Sequence, residues 1–253
     1  VEPDPLESLP LEPPPTDIQP PRPQREPFWD YVDLALVLGL IVFGLIVITA
    51  ITALVVAGNR HLTDDLTYLA LPTTVAAYAV VYLALKLVLG SRYGRPVFSS
   101  LGWRRSNFSL GVAAGGGALL GFSLSLLGTA LRTPKVKSPF ENLGGTPLSF
   151  ALLALMAVIL APIFEELFFR GFLQPLLTRT FGAIAGILIT AALFGGLHAP
   201  EYSWAWQYAF CVSLAGVVFG YLRYRTNSII PCTVMHGCFN ALSVIALAIQ
   251  KWK

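Results

Sequence analysis

The sequence predicts an all-α protein, a polytopic transmembrane helical bundle of about seven spans plus one interfacial segment. Three observations carry that prediction. Of 253 residues, 55% are hydrophobic and 12% are charged, against roughly 25% charged in an ordinary soluble domain. The charge is also unevenly spread: residues 1–33 hold 10 of the 31 charged side chains and 10 of the 19 prolines. From Leu34 onward only six carboxylates remain, Asp64, Asp65, Glu141, Glu165, Glu166 and Glu201. Finally, apolar runs of about 20 residues, the length that crosses a bilayer core, recur along the rest of the chain.

The elements follow in order. Residues 1–30 are acidic and proline-rich with few large apolar groups, so they cannot offset the entropy of ordering and read as a disordered tail. They lack the basic start and short apolar centre of a cleavable signal peptide. Residues 31–147 hold the first helices and their connections. The first span runs over 34–57, the second over 66–89 with Lys86 placed to snorkel, and the third over 108–131. In the third, Gly111/Gly115 and Gly117/Gly121 stand at the four-residue spacing that permits close helix approach. Between the second and third, S-R-Y-G-R-P-V-F-S-S-L-G-W-R-R-S-N suits a segment at headgroup level, through Trp103, Arg104 and Arg105. Residues 148–250 hold the remaining helices. The fourth helix, from near Pro147 to about residue 180, exceeds one bilayer crossing, and a turn is expected at Phe181-Gly182. The others run over 182–198, 202–222 and 228–250, with Gly216/Gly220 as a packing seam and Trp204 and Trp206 as interface anchors.

Charge sets partners and orientation. Residues 1–33 carry two Arg against eight acids and residues 34–253 fifteen Lys/Arg against six acids. The basic excess lies in short connections beside apolar runs, which fits a lipid bilayer and offers no dense patch for nucleic acid. With seven spans, eleven Lys/Arg fall on the side of the N-terminus and six on the other, which predicts a cytoplasmic N-terminus. Cys211, Cys232 and Cys238 lack metal-type spacing and read as buried free thiols.

The exceptions to the apolar rule carry the chemistry, because an ionisable group inside a membrane helix is a functional candidate by default. Glu165, Glu166 and Arg170 occur as E-E-L-F-F-R in the fourth helix. Residues four apart share a helix face, so Glu166 is placed to pair with Arg170, while Glu165 stands about 100° away around the helix. Alone, this pattern also suits a structural ion pair. His198, in F-G-G-L-H with Phe194 four residues before it, lies as far after the Phe181-Gly182 turn as Glu165 lies before it, so the two reach a similar depth. His236 and Asn240, in H-G-C-F-N, share a face of the last helix; on their own they also suit interhelical hydrogen bonding. Asp64, Asp65, Glu141 and Glu201 fall in connections near water.

In that order and spacing, E-E-L-F-F-R, F-G-G-L-H and H-G-C-F-N resemble the three motifs E-E-x-x-x-R, F-x-x-x-H and H-x-x-x-N of the CPBP intramembrane protease family, the CAAX protease and bacteriocin-processing family. The resemblance covers about residues 150–246 and extends to R-G-F-L-Q-P-L-L and to the turn R-T-N-S-I-I-P. Asn227 stands where the family often has Gly, a minor departure since Asn tolerates the left-handed conformation. The resemblance implies that 148–250 is a protease core and that the protein is an intramembrane endopeptidase, resident in the cell membrane in a prokaryote. Its substrate would be a peptide or prenylated protein, either a C-terminal CAAX segment or another membrane-associated peptide.

In that reading Glu165 is the base, since a carboxylate in apolar surroundings binds a proton more readily than one in water. His198 orients the water, His236 and Asn240 donate to the scissile carbonyl, and Glu166 with Arg170 and Phe194 supports the site. No cofactor is needed. The alternative takes Glu165, His198 and His236 as zinc ligands, a common catalytic set, but leaves only Glu166 as base, and H-E-x-x-H is absent. Two readings of other classes remain at this stage. One is a non-catalytic bacteriocin-immunity or scaffolding membrane protein. The other is a proton-coupled transporter, against which stand the lack of an internal inverted repeat and the single polar cluster.

Overall fold

A proline at the end of a wide helical turn explains the most unusual element of this protein. The computed structural model describes residues 26–58, 67–136 and 146–252, and among them every regular element is a helix. They are α1 (Tyr31–Gly58), α2 (Thr67–Tyr93), the short α3 (Val97–Ser100), α4 (Leu110–Ala130), α5 (Pro147–Phe181), α6 (Ala183–His198), α7 (Trp206–Thr226) and α8 (Ile230–Lys251), with a 3₁₀ turn over Ala199–Tyr202 after α6. Asp64, Asp65 and Glu141 lie outside the described residues. Glu201 is exposed in the 3₁₀ turn, in keeping with a connection near water.

α5 is the predicted long helix, 35 residues over Pro147–Phe181. Thr146 starts it with a capping box, its hydroxyl accepting from the Ser149 amide while the Ser149 hydroxyl accepts from the Thr146 amide. Its coil is not uniform: Met156–Leu160 and Leu167–Leu173 have the wider π spacing. Pro162 and Pro175 follow these two stretches. In a regular α-helix each proline ring would collide with the carbonyl four residues back, that of Val158 or Gly171. Widening the preceding turn moves that carbonyl aside without ending the helix. Gly182, at φ +83°, then makes the expected reversal into α6.

Among the described residues six helical stretches are long and apolar enough to cross a membrane: Tyr31–Gly58, Leu69–Tyr93, Leu110–Ala130, Pro147–Phe181, Ala183–Tyr202 and Ile230–Lys251. The one expected span outside this set is α7. It is a 21-residue helix, but Gln207, three tyrosines, Arg223 and Arg225 dilute its apolar character. Its buried face, including Ala215, Gly216, Phe219 and Gly220, packs on α5, α6 and α8 rather than carrying the helix by hydropathy alone.

The packing seams are specific. Of the α4 glycines, Gly117 and Gly121 do the work: a Cβ on Gly117 would overlap the Met235 carbonyl of α8, and one on Gly121 would press on Leu242 and Phe239. Gly115 has nothing within 4 Å of that position. On α7, Gly216 lies against Ala191 of α6 and Gly220 against Gln174 of α5 and Ile187 of α6.

The predicted interfacial segment is in part interior. Val97 and Leu101 are buried, Arg104 Nε donates to the Asn227 carbonyl at 2.7 Å, and the Ile229 amide donates to the Gly102 carbonyl at 3.0 Å. The segment therefore clasps the α7–α8 turn, where Asn227 takes the left-handed conformation at φ +51°.

The end of the N-terminal segment also packs. Trp29, within the stretch read as tail, is buried, stacks on Phe172 at 5.5 Å and donates from Nε1 to the Phe172 carbonyl at 3.0 Å. Asp30 and Asp33 then form a reciprocal cap at the start of α1, and the buried Asp33 carboxylate accepts from Arg92 and from the Tyr93 hydroxyl, both at 2.6 Å.

Gly117→Ala is expected to destabilise the protein by about 1–3 kcal/mol, the usual cost of overpacking, and Gly115→Ala to leave stability unchanged. Thermal melts of the two variants in detergent check the contrast.

Candidate active site

The site is built where α8 meets the first wide turn of α5 and the Ala161–Glu166 stretch after it. Glu166 and Arg170 are both fully buried at 0% side-chain exposure, and Arg170 Nη1 donates to Glu166 Oε1 at 2.8 Å. The one-turn spacing seen in the sequence thus forms its ion pair. Arg170 does more than neutralise: Nη2 donates to the Gly216 carbonyl at 3.1 Å, and the guanidinium lies 4.4 Å from the Phe194 ring centroid and 5.3 Å from that of Phe219. Charge, backbone acceptor and two aromatic faces together fix it.

Glu166 Oε1 also accepts from His236 Nδ1 at 2.9 Å. The carboxylate that faces Arg170 can only accept, so Nδ1 carries the proton and the His236 ring is oriented by α5. Phe219 stacks on the same ring at 4.9 Å and 24°, and Phe194 meets it edge-on at 5.7 Å. His236 Nε2 is thereby aimed at Glu165, whose Oε2 lies 3.7 Å away, beyond direct hydrogen-bond distance. Glu165 is 18% exposed, in contrast to its sealed neighbour. Its Oε1 accepts from the Tyr78 hydroxyl of α2 at 3.1 Å.

Two predicted residues have other immediate partners than the sequence suggested. Equal depth predicts His198 beside Glu165, but among the described residues no hydrogen bond or ion pair joins them. His198 Nδ1 donates to the Phe194 carbonyl of its own helix at 2.7 Å, leaving Nε2 as the nitrogen free to act. The His198 ring lies 4.6 Å from that of Phe194, which in turn touches His236, so Phe194 stands between the two histidines. Asn240 shares the His236 face, but its Nδ2 donates to the Ala157 carbonyl in the first wide turn of α5 at 2.8 Å. One amide hydrogen is used there and one remains.

The wide turns supply the acceptors for these bonds. A π turn removes regular i→i+4 partners from carbonyls within it, and side chains from other segments take several of them. Asn240 bonds the Ala157 carbonyl, Arg223 Nε the Arg170 carbonyl at 3.1 Å, and Trp29 the Phe172 carbonyl. A Cβ on Gly237 would lie 2.6 Å from the Val158 carbonyl, so the glycine inside H-G-C-F-N lets α8 touch the wide turn.

Tyr78, Phe219 and Gly216 were not singled out for the site from sequence. Gly216 had shown as a seam glycine, whereas Tyr78 is one phenol in an apolar run and carries no local signal. Among the described residues no group of three or more His, Cys, Asp or Glu side chains is gathered as a metal site.

Residues 147–242 match the family model described as Type II CAAX prenyl endopeptidase Rce1-like. The matched region contains Glu165, Glu166, Arg170, Phe194, His198, His236 and Asn240 and leaves α1 to α4 outside it. This bears out the resemblance carried by the three motifs. No curated protein and no solved structure matches the chain. The matched family and the six apolar helices together describe an integral, multi-pass membrane protein.

Arg170→Met, which leaves the Glu166 carboxylate buried and uncompensated, is expected to cost about 3–5 kcal/mol. Arg170→Lys is expected to recover only part of this, because one ammonium cannot span Glu166 and the Gly216 carbonyl as the guanidinium does. Unfolding of both variants in detergent measures the difference.

Proposed function

We propose that this protein is an intramembrane endopeptidase in which Glu165 activates water to hydrolyse a peptide bond. CAAX-type prenylated or other membrane-associated peptides are the substrate class, taken from the family that residues 147–242 match. The observation that carries the reading is the pair of acceptors at the centre of the site. His236 commits its Nδ1 proton to Glu166 at 2.9 Å, which leaves Nε2 facing Glu165 Oε2 across 3.7 Å; in the tautomer protonated at Nδ1 alone, both of these groups are acceptors. Two acceptors at that distance are matched by a molecule that brings two hydrogens and keeps its own lone pairs outward, which describes a nucleophilic water.

The reaction then runs on this chain's own groups. Glu165 Oε2 takes one proton as the water oxygen bonds to the scissile carbonyl carbon, and the carbonyl electron pair moves onto its oxygen. The developing oxyanion is stabilised by donors from Asn240, through its remaining amide hydrogen, and from His198 Nε2 when that ring is charged. Collapse of the tetrahedral intermediate breaks the carbon–nitrogen bond, and Glu165 returns its proton to the leaving amine. Glu166 and Arg170 hold the His236 ring in position and exchange no proton. This division differs from the sequence expectation in placing His236, rather than His198, beside the base.

The N-terminus is assigned to the cytoplasmic side on the Lys/Arg distribution, which would bring a lipidated C-terminal tail to the site from the cytoplasm.

Purified protein incubated with farnesylated and unmodified peptides, read by mass, is expected to show cleavage that Glu165→Gln lowers by about 10²–10⁴-fold, the usual contribution of a general base. Equal cleavage by wild type and Glu165→Gln would refute the mechanism. Protein stripped by a chelator is expected to keep its full rate; loss of activity restored by added zinc would instead assign Glu165, His198 and His236 as ligands.

A further inference from the structure

The catalytic motifs lie on α5, α6 and α8, yet the carboxylate proposed as base is held from outside them. Tyr78 of α2 lies beyond the 147–242 match and donates its hydroxyl to Glu165 Oε1 at 3.1 Å across a sequence separation of 87. Its ring is stacked on that of Phe164, the residue preceding Glu165, with centroids 5.3 Å apart and planes at 12°. Ring and hydroxyl therefore fix one another: the stack sets where the phenol lies, and the hydroxyl fixes the carboxylate.

We infer that Tyr78 is a positioning residue, which pins Glu165 by Oε1 so that Oε2 alone faces His236 and the reacting water. A free Glu side chain has three torsions, and the last of them is broad and nearly two-fold. Glu166 has Arg170 and His236 to orient it. The Glu165 carboxylate has one hydrogen bond among the described residues, that from Tyr78, and its contact with His236 is too long to act as another. Without the phenol hydroxyl the carboxylate samples rotations that turn both oxygens from His236, and the fraction of molecules ready to take a proton falls. Precise placement of a catalytic group is worth large rate factors, so an α2 hydroxyl governs the chemistry of a site whose motifs are elsewhere. The inference rests on the proposed hydrolytic role of Glu165, and it extends the machinery into the N-terminal half of the chain.

Tyr78→Phe tests it, since the ring stack on Phe164 is kept and only the hydroxyl is removed. The expected result is a fall in kcat of about 10- to 100-fold, in the range that loss of a hydrogen bond to a charged group produces, with KM changed less than about twofold and the detergent melting temperature nearly unchanged. An unaltered kcat overturns the inference, and so does a fall in kcat that comes with a matching loss of melting temperature, which marks a packing role. A second measurement does not require turnover. The ultraviolet resonance Raman bands that Tyr78→Phe removes report the hydrogen bond of that hydroxyl, and Glu165→Gln, which replaces a charged acceptor by a neutral one, is expected to shift them. Bands indifferent to Glu165→Gln overturn the inference even if every peptide is refused. Conversely, wild-type protein that cleaves no peptide but shows the shift refutes the proposed function and leaves the Tyr78 hold on Glu165 standing.

Discussion

The buried ion pair of Glu166 and Arg170 is the constraint on which the rest of the site depends. Two full charges at 0% exposure carry a desolvation cost of several kcal/mol per ion, so every neighbour has to answer it. Gly216 yields a carbonyl, Phe194 and Phe219 yield ring faces, and His236 donates a hydrogen bond. These residues come from α6, α7 and α8, so satisfying one pair of charges on α5 draws three other helices to a common point. The orientation of His236 follows from that arrangement rather than from contacts made for its own sake.

The wide turns of α5 play the matching part for the backbone. A membrane interior offers no solvent to carbonyls that lose their helical partners, and each such group left alone is costly. Pro162 and Pro175 force the irregularity, and Asn240, Arg223 and Trp29 bond carbonyls within it. Irregular backbone therefore serves as a set of docking points. Asn240 is held beside the site by one of them, and the clasp around Asn227, reached through Arg223 and Arg104, by the same logic. The contrast between the two adjacent glutamates comes from this framework: Glu166 is fully buried, with Arg170 and His236 both bonded to its Oε1, and Glu165, one residue away, keeps partial exposure and a single phenol.

α4 packs along α8, whereas α1 to α3 are joined to the site through few but specific contacts. Trp29 docks on the second wide turn, Val97 and Leu101 pack beneath it with Leu167 and Phe172, and Tyr78 reaches Glu165. α1, by contrast, presents Val42, Phe43, Ile46 and Leu54 outward, as expected of a peripheral helix whose neighbours are lipid chains.

Much of this was legible from residue order alone. Hydropathy and length gave the spans to within a few residues, glycine gave the turn at Gly182, and four-residue spacing gave the Glu166–Arg170 pair, because these depend on local geometry that a helix repeats everywhere. α7 falls outside the strongly apolar set although its length suits a span: its length is local, whereas its burial is granted by α5, α6 and α8. Tertiary structure alone decided that Glu166 rather than Glu165 holds Nδ1 of His236, that Asn240 bonds a carbonyl of α5, and that a tyrosine 87 positions away reaches the partly exposed glutamate. Hydrogen bonds between helices depend on rotation and approach to tenths of an ångström, which glycine seams and proline-widened turns set jointly, and no spacing within one helix encodes them. Sequence by itself determined which residues carry the charge in an apolar chain; the packing of four helices decided which of them remain available to react.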